Sequence, residues 1–284
     1  MSSRVDRPAS RLVLTRPIRL SAVAAIAAGV VVWLALLGPL GALLAHISPA
    51  ATRASLGAPG ALSPLFVSLE ASALALGVLV VAGTPLAWLM ARDRLPAPRL
   101  FEAGVLVPLL MPPLVIGLLL VFMVGPATPL GGALAHLHLS ASNTFFALVV
   151  AEVYESAPYY VLGAQSAFAA VGTELEENAA LLGDSRARSF SRVTLPLAAP
   201  GLAMSLATAW ARAMGAFGAV IVIAYHPYGL PMQIWVSLQE SGLASALPFA
   251  LLLIVVALPL PLVAYLWSAR ARSARIEARH LAVP

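Results

Sequence analysis

The chain contains no cysteine and no lysine, and charged residues make up only 10% of its 284 residues. Without cysteine it can form no disulfide, no thiolate metal site and no cysteine nucleophile. Without lysine it cannot carry the Gly-x-x-x-x-Gly-Lys-Ser/Thr loop that binds nucleotide phosphates. Soluble domains carry about a quarter charged residues, so an ordinary soluble domain is also excluded. If ATP drives this protein, a different subunit must bind the nucleotide.

Hydrophobic residues make up 61% of the chain, and long apolar runs recur along it. Runs of about 18 or more apolar residues indicate membrane-spanning helices. The first run follows a basic leader but is longer than the apolar region of a signal peptide, which favours a retained helix. We therefore predict an all-α, polytopic membrane protein with six transmembrane helices, at roughly residues 20–45, 63–91, 100–124, 143–171, 197–224 and 244–269.

The arginines predict how the chain is oriented. Apart from one within a span, they cluster before the first helix, between the second and third, between the fourth and fifth, and after the sixth; only Arg53 lies in a loop of opposite parity. Because positive residues favour the cytoplasmic side, both termini are expected there. This distribution accounts for the net charge of +5 without a nucleic-acid partner. The predicted division is a basic tail, the first helix with its outer loop, a transmembrane domain and a second tail, at residues 1–19, 20–62, 63–270 and 271–284.

Four charged residues lie deep within predicted spans, away from their ends, namely Glu70, Glu152, Glu155 and Arg212. Such charges cost about 3 kcal/mol or more, so they usually face the interior of the bundle and find partners. All four lie at similar depth, and Glu152 and Glu155 share one helix face. Two interpretations stay open: an ion pair that fixes helix packing, or a pathway on which Arg212 attracts an anion. With three carboxylates against one arginine, we expect transient passage of an anion and no tight site.

Two further stretches are candidates for a gate or for close packing. Pro112 and Pro113 in the third span each lack a backbone donor, so they bend the helix, either for shape alone or beside a pathway. Gly215, Phe217 and Gly218 belong to a stretch of the fifth helix that is rich in small residues, which allow helices to approach closely. That stretch fits plain packing, the wall of a narrow pore or a contact with a second copy. No pattern of residues indicates a metal site or a catalytic motif.

A polar segment, residues 174–196, separates the fourth and fifth predicted helices and is called the docking segment below. Its acidic start favours the beginning of a short helix, where the helix dipole attracts negative charge. Gly183 can end that helix in a left-handed turn, and Pro196 is expected to start the fifth helix. A helix, a break and a second short helix at this place predict a surface on which a cytoplasmic partner docks.

The docking segment resembles the Glu-Ala-Ala loop of permease subunits in binding-protein-dependent ABC importers. The family pattern is Glu-Ala-Ala, three residues, Gly, nine residues and Ile-x-Leu-Pro, with Asn178 here replacing the first alanine and Val193 the isoleucine. The residues in register are Glu177, Ala179, Gly183, Val193, Leu195 and Pro196. The resemblance covers roughly residues 63–270. It implies a type I ABC importer permease fold, and a docking segment seated on a cytoplasmic ABC ATPase subunit that binds ATP-Mg, with no cofactor or catalysis in this chain.

Three further stretches are similar to molybdate/tungstate permeases, which are close to sulfate permeases: GTPLAWLMAR, LVPLLMPPLVIGLLLVF and ARAMGAFGAVIVIAYHP. Ala216 stands where relatives often carry glutamate. The resemblance implies import of molybdate or tungstate across a bacterial inner membrane, with an extracytoplasmic substrate-binding protein and a second copy of the chain. Sulfate, thiamine and ferric iron stay open as substrates. A proton-coupled secondary carrier is a further alternative, although the docking segment and the lack of an obvious inverted repeat disfavour it.

Overall fold

The computed structural model describes the backbone of residues 18–281 and the side chains of residues 22–270. The predicted tail at residues 1–19 lies almost wholly outside the described backbone, and the side chains of the tail at 271–284 lie outside the described residues. Two π-helical turns, π1 (Leu79–Gly83) and π2 (Phe190–Thr194), accompany the α-helices. The α-helices of the described chain are α1 (Ile18–His46), α2 (Pro49–Gly57), α3 (Ser63–Val78), α4 (Thr84–Ala91), α5 (Pro98–Leu110), α6 (Pro113–Val124), α7 (Pro129–His136), α8 (Phe145–Ala169), α9 (Thr173–Leu181), α10 (Arg186–Ser189), α11 (Leu195–Met214), α12 (Val220–Ile223), α13 (Leu230–Ser241), α14 (Leu243–Ala257) and α15 (Pro259–Leu281).

Within the described residues, five helical stretches are long and apolar enough to cross a membrane, and one bent pair of helices can make a sixth span. The five stretches are Ala22–His46, Ser63–Ala91, Phe145–Ala169, Arg186–Met214 and Leu243–Arg270. The bent pair is α5 with α6. The prediction of an all-α, polytopic membrane protein is therefore confirmed.

The third predicted span, at residues 100–124, is a sharply broken helix. α6 is bent by 119° relative to α5, and the backbone between them is extended, with ψ of 140° at Met111 and 135° at Pro112. Neither Pro112 nor Pro113 has an N–H to continue the helical ladder, and proline disfavours a helical residue before it. The predicted bend is present, and it separates two helices that lie in different directions.

The fifth predicted helix is wrong at its end, because α11 stops at Met214 and not near residue 224. The Gly215 N–H closes the last turn on Ala211 at 3.2 Å. The Ala219 N–H then bonds to the carboxylate of Glu155 at 2.9 Å, on another helix. A side chain from α8 therefore takes a donor at the start of α12, which forms as a separate short helix.

The predicted outer loops near residues 46–62, 125–142 and 225–243 each contain a helix, namely α2, α7 and α13. Ser48 and Thr128 cap the first two by accepting hydrogen bonds from backbone N–H groups in the first turn. All three helices have proline in the first turn. Ser, Thr and Pro are typical of loops, and they are also residues with which helices begin.

Helix α8 lies at the centre of the bundle and packs against α3, α4, α5 and α11. Residues 48–284 form one compact unit, and α1 belongs to a separate one. The end of the bundle that holds Arg92, Arg94, Arg99 and the arginines of the docking segment is called the arginine-rich end below. Contacts between Arg92, Phe168 and Glu176 join the second span, α8 and the docking segment at this end.

Candidate functional site

The docking segment contains the predicted turn at Gly183. Gly183 has a φ of 94°, which glycine adopts at little cost because it has no Cβ. Its N–H bonds to Ala180 at 3.0 Å, and the Asp184 N–H bonds to Ala179 at 3.0 Å. These two bonds are those of a Schellman cap, which satisfies the last carbonyls of a helix. Glu177, Ala179 and Gly183 thus occupy α9 and the turn that ends it.

The return from that turn is continuous with the fifth span, which corrects the expected role of Pro196. α10, π2 and α11 form one helical stretch from Arg186 to Met214, with Val193 in π2 and Leu195 and Pro196 in the first turn of α11. In a regular helix the ring of a proline meets the carbonyl four residues earlier. A π-turn widens the helix, and here it lies directly before Pro196, so the helix passes through this residue and does not start at it.

A buried ion pair anchors the docking segment to the spans. Arg92 contacts Glu176 Oε1 through Nη2 at 2.6 Å and Nε at 3.2 Å, and its Nη1 donates to the Phe168 carbonyl at 3.1 Å. Thr194 donates to the same carboxylate oxygen at 2.6 Å. Burial raises the pKa of Glu176, but the hydrogen bonds from Arg92 and Thr194 and the charges of Arg92 and Arg94 outweigh it, so this pKa lies below its ordinary value. The Arg92 side chain is only 3% exposed.

The sequence interpretation did not find this anchor. In the sequence, Glu176 is one of several acidic residues at the start of the docking segment, and Arg92 is one of the arginines between the second and third predicted helices. A signal was present, because topology places both residues at the same end of their helices, where an arginine and a glutamate can pair. What the sequence does not show is which of Glu174, Glu176 and Glu177 turns inward.

The outward side of the docking segment is apolar at its tip. Leu181 and Leu182, at the end of α9, are 85% and 90% exposed, and Glu177 on the same helix is exposed. These two leucines lie at the capped end of α9, outside the apolar spans. Neighbouring exposed apolar side chains on such a surface are typical of a protein-binding site. The segment is therefore fixed on one side and free to contact a partner on the other.

A cavity of 570 Å³ lies beside the bend between α5 and α6. All five residues predicted for a gate or close packing line it, together with Arg212 from the end of α11. These residues are Pro112, Pro113, Gly215, Phe217 and Gly218. A methyl group on Gly218 would overlap Pro113, so a side chain there would push α6 away from the turn after α11. The structure thus joins two separate stretches of sequence around one cavity.

Arg212 reaches this cavity while paired with a buried carboxylate. Its Nη2 lies 2.6 Å from Glu155 Oε2, and the side chains are 27% and 0% exposed respectively. This contact is an ion pair of poor hydrogen-bond geometry, and Arg212 Nε is buried with no hydrogen-bond partner among the described residues. The other oxygen of Glu155 accepts the Ala219 N–H. The predicted ion pair is present, and Arg212 also lines the cavity.

The other two intramembrane carboxylates lie apart from Arg212. Glu152 is buried and accepts a hydrogen bond from Ser72 at 2.9 Å. Glu70 departs from the expectation that it faces the interior, because it is exposed and lines a different cavity. The reason is the register of α3, whose buried face carries Ser68, Ala71, Ser72 and Ala75. One carboxylate, and not three, therefore contacts Arg212.

The spans, the bent third span and the anchored docking segment together define the transmembrane subunit of an ABC importer. Residues 83–273 match the family described as binding-protein-dependent transport system inner membrane component, and the chain belongs to this family. It is an integral membrane protein of the transport class.

Two relatives and one solved structure show where this chain stands among such subunits. It is 39% identical over 219 residues to the probable molybdenum ABC transporter permease protein of Haloferax volcanii, covering 77% of this chain and 80% of that one. It is 31% identical over 190 residues to the molybdate/tungstate transport system permease protein of Thermococcus kodakarensis, covering 67% and 71%. A chain of a bacterial alginate ABC transporter, crystallised with its alginate pentasaccharide-bound periplasmic protein, has a TM-score of 0.65 at 18% identity and covers 89% and 96%. That likeness shows the fold, which is the type I ABC importer permease fold.

Proposed function

We propose that this chain forms the transmembrane pathway of an ATP-driven importer for a small oxyanion, molybdate or tungstate, with its arginine-rich end in the cytoplasm. The docking segment carries this proposal. It combines a capped helix, a buried anchor and two exposed leucines at the end of the bundle where positive residues collect, and such residues favour the cytoplasmic side. An extracytoplasmic substrate-binding protein would deliver the anion at the opposite end.

A cytoplasmic ABC ATPase subunit is the partner that we assign to the docking segment, and that subunit would bind ATP-Mg. Burying a leucine side chain contributes roughly 1.5–3 kcal/mol, so Leu181 and Leu182 can supply much of the contact energy. A movement of α9 would reach α4 through Arg92 and π2 through Thr194, since both donate to Glu176. The anchor thereby links the ATPase to two spans.

Arg212 supports an anion as the substrate. Arg212 lines the cavity, whereas Glu155 and Glu152 do not. Because Glu155 already neutralises this arginine, the cavity would attract an oxyanion weakly and let it pass. Specificity would then lie in the binding protein, and a second copy of the chain would complete the pathway. Binding of molybdate to the purified chain at micromolar affinity or better would contradict weak passage.

Sulfate is the second candidate, since it is also a tetrahedral dianion and offers Arg212 the same charge. Thiamine and ferric iron are cations and gain nothing from this arginine. A proton-coupled carrier needs carboxylates that reach the pathway, but Glu152 and Glu155 are already bonded to Ser72, Ala219 and Arg212. The cavity therefore favours oxyanion import over these alternatives.

Uptake by vesicles that contain the chain, its ATPase and its binding protein tests the proposal. We expect molybdate or tungstate to accumulate with ATP and to outcompete sulfate. Leu182→Asp should abolish uptake and co-purification of the ATPase, as should Gly183→Pro or charge reversal at Glu177. Leu137→Asp is the control, because Leu137 is 68% exposed outside the docking segment and should leave ATPase co-purification intact. Normal uptake in Leu182→Asp would reject the docking role, and uptake with a proton gradient alone would reject the ABC mechanism.

A further inference from the structure

A groove of 710 Å³, called the membrane groove here, runs along the bundle between residues 80–88 of the second span and residues 186–206 of the fifth-span helix. Its walls carry Val81, Pro85, Phe190, Leu202 and Leu206. Both π-turns contribute to these walls, and π-turns widen a helix and recur at functional sites. None of the residues predicted for the gate or the pathway lines this groove.

The length of the membrane groove matches one leaflet of a bilayer. The second span ends at Ala91, and the groove extends back along it from Trp88 to Val80. At a rise of 1.5 Å per residue, Val80 lies roughly 16 Å from that end, which is about half of the ~30 Å hydrocarbon core. The groove therefore begins near a membrane surface and ends near the midplane.

Inside the membrane groove the polar groups satisfy each other. Thr84 and Tyr160 share a hydrogen bond of 2.6 Å, and both line the wall. Their pairing engages both hydroxyls with each other, and the other side chains along this part of the groove are mainly apolar. An apolar chain is the occupant that this interior fits.

The mouth of the membrane groove, at the arginine-rich end, is polar and positive. Arg186 lines it, and the guanidinium of Arg94 lies 4.8 Å from the ring centre of Trp88. Trp88 Nε1 is buried and has no hydrogen-bond partner among the described residues. Glu176 and Glu177 line an adjoining cavity that shares Trp88 and Arg186 with the groove, but Glu176 is neutralised by Arg92. Arg94 and Arg186 therefore face one remaining carboxylate beside the Trp88 ring.

We propose that the membrane groove binds one anionic phospholipid of the cytoplasmic leaflet. One acyl chain lies along Val81 and Leu206, the phosphate contacts Arg186, and the Trp88 ring lies beside the headgroup. Tryptophan and arginine are the residues that meet headgroups at a membrane interface. Because α10 and π2 form one wall, bound lipid stabilises the return half of the docking segment. This site requires the cytoplasmic orientation but neither the ATPase partner nor the oxyanion.

Tryptophan quenching by brominated lipids tests the site on the full-length chain in vesicles. The chain has five tryptophans, so the signal lost in Trp88→Phe isolates Trp88. We expect brominated phosphatidylglycerol to quench that signal more strongly than brominated phosphatidylcholine at equal content. Arg186→Gln should lower this preference about fivefold, the effect of one arginine at a membrane surface. Arg188→Gln is the matched control, because Arg188 contacts Asp184 at 3.4 Å and lies outside the groove lining.

Three results would overturn the proposal. The first is equal quenching by both lipids, or an equal loss of the preference for the anionic lipid in Arg186→Gln and Arg188→Gln. Either result would show that Arg186 makes no contact with the headgroup. The second is displacement of the quencher by inorganic phosphate alone, which would make the mouth a simple anion site. The third is disulfide cross-linking of Val81→Cys between two copies with no lipid quenching, which would place a second copy in the groove; the chain has no native cysteine to confuse this measurement.

Discussion

Among residues 22–270 there are two arginine–glutamate ion pairs, one at the docking segment and one beside the bent span, and the two arginines differ in how many hydrogen bonds they make. Arg92 makes hydrogen bonds through three nitrogens and is 3% exposed. Arg212 makes one ion contact, keeps an unbonded Nε and is 27% exposed. An arginine that is buried and bonded through each of its nitrogens holds structure, whereas one that is partly exposed at a cavity can also meet a ligand.

The carboxylates of Glu176 and Glu155 also differ in how their two oxygens are bonded. One oxygen of Glu176 accepts the hydrogen bonds from both Arg92 and Thr194. Glu155 divides its oxygens between Arg212 and the Ala219 N–H, so it holds the turn after α11 as well as the arginine. Loss of Glu155 therefore disturbs the wall of the cavity, and loss of Glu176 releases a surface helix.

Replacing Glu155 should produce the largest effect. Glu155→Ala leaves Arg212 without its counter-ion and the Ala219 N–H without an acceptor, and removing one partner of a buried pair costs about 3 kcal/mol or more. Thermal unfolding of the detergent-solubilised chain measures this loss. Glu70→Gln is the control, because Glu70 is exposed. Equal melting temperatures for the two variants would show that the Arg212 pair contributes nothing to stability.

The pair at the docking segment should produce a smaller effect that depends on pH. The pKa of Glu176 is lower in the folded chain than in the unfolded one, so its stabilisation is present above the unfolded pKa of about 4.3 and disappears as pH falls through the folded value. Hydrogen exchange of the α9 amides, corrected for intrinsic rates, should therefore accelerate below about pH 4. Arg92→Ala should cost about 2 kcal/mol of local stability at pH 7.

Two variants separate this titration from the general effects of acid. Glu176→Gln should abolish the pH dependence of α9 exchange, whereas Glu177→Gln should leave it unchanged, since Glu177 lies on the same helix but outside the anchor. An identical pH profile in both variants would mean that Glu176 does not control the docking segment. In that case the Arg92–Glu176 pair would not have the structural role that distinguishes it from the Arg212–Glu155 pair.

The two regions also differ in how well the sequence predicts them. The turn at Gly183 follows from local chemistry, because a glycine after a short helix is the residue that a left-handed cap requires. The pairings of Arg92 and Arg212 depend on helix rotation, which the sequence leaves undetermined once a span is apolar all round. The same ambiguity misplaced Glu70, since an apolar span offers no polar face to show which side is buried. The end of α11 was missed because a carboxylate on α8, distant in sequence, accepts the Ala219 N–H.

The smallest predicted effect tests whether the left-handed turn at Gly183 by itself stabilises the docking segment. Gly183 and Gly172 flank α9, and a methyl group on either would meet nothing within 4 Å. They differ in backbone conformation, with φ of 94° at Gly183 and −58° at Gly172. Gly183→Ala should therefore cost about 1 kcal/mol from left-handed strain alone, whereas Gly172→Ala should cost less, since at this N-cap the preference for glycine over alanine opposes the entropic gain. Hydrogen exchange of α9 measures both. Because neither substitution creates a steric clash, equal exchange would show that the Glu176–Arg92 pair holds α9. The left-handed turn would then contribute nothing to the stability of α9.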